Sequence, residues 1–123
     1  MYGSDGSDQI QVFEPGTFEN VRTIDVTWDG APLEKINELE FILDYEYILA
    51  NVYHSNNIHL IQIESGEVKQ TWDMTELVEI NEEATDGIPD VLNGIAYHEA
   101  TDTFVMTGKD WDLLFFIKLD IQV

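Results

Sequence analysis

Cysteine is absent from this 123-residue sequence, which excludes disulfides and thiolate metal ligands and says little about compartment. Basic residues are nearly as scarce. Five Lys or Arg stand against twenty-five Asp or Glu, giving a net charge of -20. A chain with no basic patch has nothing with which to displace counterions, so nucleic acid and anionic membrane surfaces are excluded as partners. No apolar run approaches the roughly eighteen residues that span a bilayer. The opening MYGSDGSDQIQVF lacks the basic start and apolar stretch of a signal peptide, so no export signal is expected within it. Common catalytic signatures are missing too: there is no GxSxG, no HExxH and no Gly-rich phosphate loop. His54, His59 and His98 lack metal-ligand spacing, and no metal is expected. The DGSD at 5–8 lacks the ligand series of a calcium loop and reads as a turn.

What is present is a core. With 44% hydrophobic and 11% aromatic residues, the chain can bury one domain's worth of apolar surface. The acids are spread along it, with only short clusters such as Glu82–Glu83, and read as a solvated shell. The apolar runs are short, rich in Val, Ile and aromatics, and bounded by Gly, Asp, Asn and Ser. They predict strands at 9–13, 21–27, 36–43, 47–53, 57–63, 68–73, 91–97, 103–107 and 113–119, separated by the turn signals EPGT, WDGAP, SGE and EATD. One short helical turn is expected around Thr75–Ile80, with Thr75 as its cap. The fold class is all-β.

The sequence also repeats. A shift of 48 lays SDQIQVF on SNNIHLI and sets Glu19 on Glu67, Thr23 on Thr71 and Asp25 on Asp73. A further shift of 55 lays Ile58 on Leu113, with the extra length falling in an enlarged loop at 75–90. A period of about 45–50 residues with about four strands per unit is the mark of β-propeller blades. The chain, 1–123, then holds about two and a half blades, fewer than the roughly four needed to close a ring.

Five strings occur in one order: SDGS at 4–7, INELE at 36–40, LANVY at 49–53, VLNGIAY at 91–97 and TGKDW at 107–111. Together they resemble the C-terminal half of the plant- and bacterial-type glutaminyl cyclases, or glutamine cyclotransferases, a family of five-bladed propellers. The resemblance covers nearly the whole chain but about half of a family member. It implies a glutaminyl-peptide cyclotransferase, an acyltransferase that converts the N-terminal glutamine of a peptide to pyroglutamate and releases ammonia. No cofactor or metal is implied. The substrate would be a peptide with N-terminal glutamine, held at a central channel; members of the family are often secreted or periplasmic.

The resemblance carries over to four positions. Asn37 falls on a site asparagine that orients substrate, and Lys109 on a channel lysine suited to an oxyanion or a substrate carbonyl; both are candidate catalytic residues. Tyr53 falls where the family has a tryptophan of the substrate pocket, and Trp111 on a family aromatic; both are candidate substrate-binding residues. After Trp111, Asp112 and Leu113 replace the family's Pro and Lys, and FILDYEY at 41–47 is about two residues longer than the family's connection. Each position has a plain structural reading as well. Lys109 could be a turn lysine balanced by Asp110 and Asp112, Asn37 a strand-edge asparagine, Tyr53 a core aromatic, Trp111 a structural aromatic, and, beside these four, Asn93–Gly94 a bulge or turn.

The family's catalytic glutamate belongs to an earlier blade and has no counterpart here. On a regular strand Glu38 and Glu40 point away from the face of Asn37, so neither replaces it. The alternative reading is therefore a non-catalytic propeller fragment that serves as a binding or assembly module. Open strand edges would favour homo-oligomers whose formation depends on salt, because charge of one sign opposes association.

Overall fold

The computed structural model describes residues 1–42, 44 and 46–123. Its strands form three antiparallel sheets in chain order, plus a small ribbon. The first sheet holds β1 (Tyr2–Ser4), β2 (Gln9–Phe13) and β3 (Asn20–Asp25). The ribbon is β4 (Thr27–Trp28) with β5 (Ala31–Pro32). The second sheet has four strands, β6 (Ile36–Ile42), β7 (Tyr47–Val52), β8 (Asn57–Gln62) and β9 (Val68–Asp73). Helix α1 (Thr75–Ala84) leads to the third sheet, β10 (Leu92–His98), β11 (Thr103–Gly108) and β12 (Phe115–Ile117).

The second sheet is buried on both faces. Ile48, Ala50 and Ile61 pack with Ile10, Ile24 and Val26 of the first sheet and its connection. Leu49, Ile58 and Leu60 pack with Leu92, Ile95, Phe104 and Met106 of the third. Neighbouring residues in β7 thus face different cores, which is why YILANV and NIHLIQ read as unbroken apolar runs rather than alternating ones. His59 is drawn into this interior at 1% exposure. Its Nδ1 pairs with Thr71 Oγ1 at 2.9 Å, and Trp28 of the ribbon closes on its ring at 4.8 Å. Burial pushes its pKa down to about 4.

The internal repeat is a repeat of register. Gln9↔Asp25 and Val12↔Arg22 of the first sheet return as Asn57↔Asp73 and Leu60↔Gln70 of the second, and the same irregularity follows each. The second repeat distance is 56 rather than 55. Ile36↔Val52, Leu39↔Ala50 and Ala50↔His59 return as Leu92↔Gly108, Ile95↔Met106 and Met106↔Phe115. A bulge between Ile36 and Leu39 recurs between Leu92 and Ile95, so Asn93–Gly94 is a bulge as expected. Ten residues separate β3 from β6 and eighteen separate β9 from β10, so the whole difference between repeats lies in that connection.

Helix α1 fills this connection. At ten residues it outruns the expected single turn, and Thr75 is its first residue rather than its cap. The Asp73 carboxylate accepts from Thr75 N at 2.9 Å and from Thr75 Oγ1 at 2.5 Å, which anchors the helix start one residue earlier than the sequence suggests. Asn81, fully buried, accepts from Leu113 N at 3.3 Å and ties the helix to the segment entering β12. The expected strands otherwise match β2, β3 and β6 to β12 within a few residues. The predicted end of the strand at 43 lies outside the described residues, as does part of the 41–47 connection. The sequence pattern missed β1 and the β4–β5 ribbon, whose strands are two or three residues long.

The first two sheets approach closely at Gly66, in the β8–β9 turn. Its φ is +75°, and a Cβ there would stand 2.0 Å from the carbonyl oxygen of Asp25. Gly30, at the ribbon tip, has φ +80° and open space around it. Both share the cost of a left-handed alanine, about 1–2 kcal/mol, but only Gly66 adds a backbone clash. Gly66→Ala should lower the urea midpoint well beyond Gly30→Ala; equal shifts would show that the sheet contact gives way freely. His59 makes a second prediction. Its folded pKa lies below its ordinary value of 6.5, so its contribution is complete above that pH and is lost as pH falls toward 4. Between pH 7 and 4 the stability advantage of wild type over His59→Gln should shrink by roughly 3 kcal/mol, read from urea unfolding at each pH.

Candidate functional site

A cavity of about 430 Å³ opens where the inner strands of the three sheets converge. It is lined by Ser4, Asp5 and Gly6 at the end of β1, by Lys35, Ile36 and Asn37 at the start of β6, by Tyr53 and His54 after β7, and by Lys109 after β11. Repeat geometry explains the convergence. Tyr53 and Lys109 are equivalent residues, each one step beyond the second strand of its sheet, and Asp5 follows β1 in the same way, with Gly6 matching His54. Asn37 follows the first residue of β6 as Asn93 follows that of β10.

Hydrogen bonds fix these ends to one another. Ser4 Oγ donates to the carbonyl of Asn37 across the first two sheets. Lys35 N donates to Gly6 O at 3.1 Å, and Tyr53 N donates to Lys35 O at 2.9 Å. Asn51 makes the tie to the third sheet. Fully buried, it accepts from Glu38 N at 2.8 Å and donates to Leu92 O at 2.8 Å. Lys109 is held by its backbone, its N–H donating to Val91 O and its carbonyl accepting from Asp90 N, both at 3.0 Å.

Three of the four candidate site residues, Asn37, Tyr53 and Lys109, therefore share one wall. The Lys109 ammonium stands 5.1 Å from the centre of the Tyr53 ring, a cation–π arrangement. Tyr53 in turn lies against His54, with ring centres 4.0 Å apart. Lys109 does not pair with Asp110 or Asp112; among the described residues the one ion pair is Lys69–Glu67. Trp111 is not part of the wall. Its Nε1 donates to Asp90 O at 2.7 Å, and its ring covers Gly108, where a Cβ would meet it at 2.3 Å. It clamps the turn that carries Lys109.

The wall also contains residues that motif reading passed over. Asp5 is one. Its Oδ1 accepts from Ser7 Oγ at 2.6 Å and Ser7 N at 3.0 Å, and these bonds hold its carboxyl below the usual carboxylate range. Asp5 is thus an anion with committed oxygens, poorly suited to shuttling protons. Lys35 and His54 are the others, both in left-handed backbone at φ 62°. Their signal was present in the sequence, since Lys35 is one of only five basic residues. Glu38 and Glu40 stay outside the wall. Glu40 accepts from Tyr97 N of the third sheet at 3.1 Å. No group of three His, Cys, Asp or Glu suited to a metal occurs among the described residues.

With this geometry in view, the likenesses to known proteins are specific. A family model described as glutamine cyclotransferase matches residues 1–119. The glutaminyl-peptide cyclotransferase of Arabidopsis thaliana is 32% identical over 120 residues, which cover 97% of this chain and 37% of that protein. The crystal structure of Myxococcus xanthus glutaminyl cyclase superposes with a TM-score of 0.89 at 34% identity, covering 99% of this chain and 52% of that one. The chain thus spans between a third and about half of these relatives.

Asn51 is the polar residue on which the meeting of sheets depends. Asn51→Ala strands a part-buried N–H and a buried carbonyl, and should cost about 2–4 kcal/mol. Equilibrium urea unfolding reads this directly, and a loss below about 0.5 kcal/mol would show that water or a local shift replaces both bonds.

Proposed function

This chain belongs to the glutamine cyclotransferase family, and we propose that it carries the substrate-orienting half of a glutaminyl-peptide cyclotransferase site. The observation behind this reading is the meeting of Asn37, Tyr53 and Lys109 in one cavity, each from the end of a different strand. The three sheets are consecutive blades of a β-propeller. The second is complete, the first lacks its innermost strand, and the third lacks its outermost.

In the reaction, the α-amine nitrogen of glutamine attacks its own side-chain amide carbon. The new C–N bond closes a lactam as the bond to the amide nitrogen breaks. One proton passes from the attacking amine to the leaving nitrogen, which departs as ammonia. Lys109 places a fixed positive charge where the amide oxygen becomes an oxyanion, the kind of interaction that strengthens as the transition state forms. Tyr53 holds both that lysine and the folded glutamine, and Asn37 orients the substrate by hydrogen bonds. The proton carrier is a carboxylate outside this chain. Asp5 is held ionised by Ser7, and Glu40 is committed to Tyr97 N.

This division of labour has a direct test. Titration of the amidated dipeptide Gln-Ala into the chain, followed by NMR, should show saturable binding. Lys109→Ala should weaken it about tenfold, the scale of one hydrogen bond to a charged group. Ammonia release should stay at background. Release by the chain alone would place the proton carrier within it. Absence of binding would leave assembly as the function of these sheets.

A further inference from the structure

The cavity reverses the charge of the protein around it. Acids outnumber bases fivefold over the whole chain, yet the wall carries two lysines, Lys35 and Lys109, against one carboxylate, Asp5. Neither lysine is paired with an acid, because the single ion pair among the described residues is Lys69–Glu67. Asp5 gives its oxygens to Ser7 and, at 3.4 Å, to Gln11 Nε2. Lys109 lies over Tyr53 and is assigned to the reacting amide. Lys35 is left as a second positive charge with no task in that chemistry.

Its setting is unusual for a lysine. Both of its backbone groups are used to join Gly6 to Tyr53, and its φ of 62° is left-handed. Glycine or asparagine holds that conformation at lower cost. Nothing in the backbone calls for a long cationic side chain there, and the side chain is mounted on a strap pinned at both ends. Charge of this kind at a cavity rim selects ligands by complementarity.

We propose that Lys35 is a specificity residue that receives a carboxylate located beyond the N-terminal glutamine of the substrate. That carboxylate is either an acidic side chain on the following residue or the free C-terminus of a short peptide. The inference rests on the glutaminyl reading of the same cavity. The protein's overall charge of -20 repels anionic peptides at a distance, but salt at about 0.15 M screens that field beyond roughly 8 Å. Within the cavity two lysines stand against the single carboxylate of Asp5.

Dissociation constants measured by NMR at that salt, on wild type, Lys35→Gln and Lys35→Arg, decide the matter. The probes are amidated Gln-Ala, amidated Gln-Glu, Gln-Ala with a free C-terminus, and amidated Ala-Glu. Wild type should bind at least one of the two Gln peptides bearing a carboxylate roughly two- to fivefold tighter than amidated Gln-Ala, the range for a solvent-accessible ion pair. Which of the two is preferred identifies the source of the carboxylate. The preference should vanish in Lys35→Gln and persist in Lys35→Arg. Equal binding of all three Gln peptides by wild type, or a preference that survives in Lys35→Gln, overturns the proposal while leaving the glutaminyl reading in place. Lys35-dependent binding of amidated Ala-Glu, with no binding of amidated Gln-Ala, keeps the anion site and removes the glutaminyl reading instead.

Discussion

The fold depends on one sheet having no solvent face. Strands β7 and β8 each supply a run of four consecutive buried residues, and successive side chains feed opposite cores. Hydrophobic burial is proportional to area and indifferent to direction, so it would not by itself fix how the outer sheets are angled. Direction comes from the few polar groups inside. Asn51 closes the apolar run of β7 and bonds to both sides, to Glu38 within its own sheet and to Leu92 of the next. The Ser4 hydroxyl makes the corresponding link to the first sheet. Apolar packing holds the sheets together, and these two side chains set where their inner ends meet.

The cavity follows from that arrangement. Repetition brings equivalent backbone positions to one place, and the residues at those positions then differ. Asp5, Tyr53 and Lys109 occupy matching steps beyond equivalent strands of three sheets, and they offer a carboxylate, an aromatic face and a positive charge. A repeat unit cannot build a chemically varied site from identical parts. Here the main chain is repeated with its bulges intact, while the side chains that face the cavity have diverged.

Much of this was legible in the sequence, for physical reasons. Strands buried on two faces announce themselves as unbroken apolar runs, and the repeat survives because register and bulge position are costly to change. Asn37, Tyr53 and Lys109 were found through motif resemblance, and Lys109 also through its rarity in an acidic chain. Other features leave little local signal. Strand β1 has three residues, one of them glycine, and exists because β2 is there to pair with it. The helix start looks like a threonine cap, yet Met74 holds the cap position and Asp73, one residue before it, receives the Thr75 N–H and hydroxyl. Asp5, Lys35 and His54 reach the cavity only because turns from different sheets meet there. The bulge at 36–39 left no local signal either, although Glu38 and Glu40 stay off the cavity that Asn37 lines, as the alternation argument expected.

The unequal spacing of the two repeats also says where this architecture is tolerant. Eight additional residues entered between β9 and β10, and neither the pairing of β10 with β11 nor the placement of Lys109 was disturbed. The last two residues of that connection, Asp90 and Val91, hold the turn that carries Lys109, while the segment before them, 86–88, is exposed. It is a natural splice point: a reporter peptide or a small inserted domain could be carried there while the cavity keeps its dimensions. The tight turns at Gly6, Lys35 and His54 form the wall itself, and they would tolerate no such cargo.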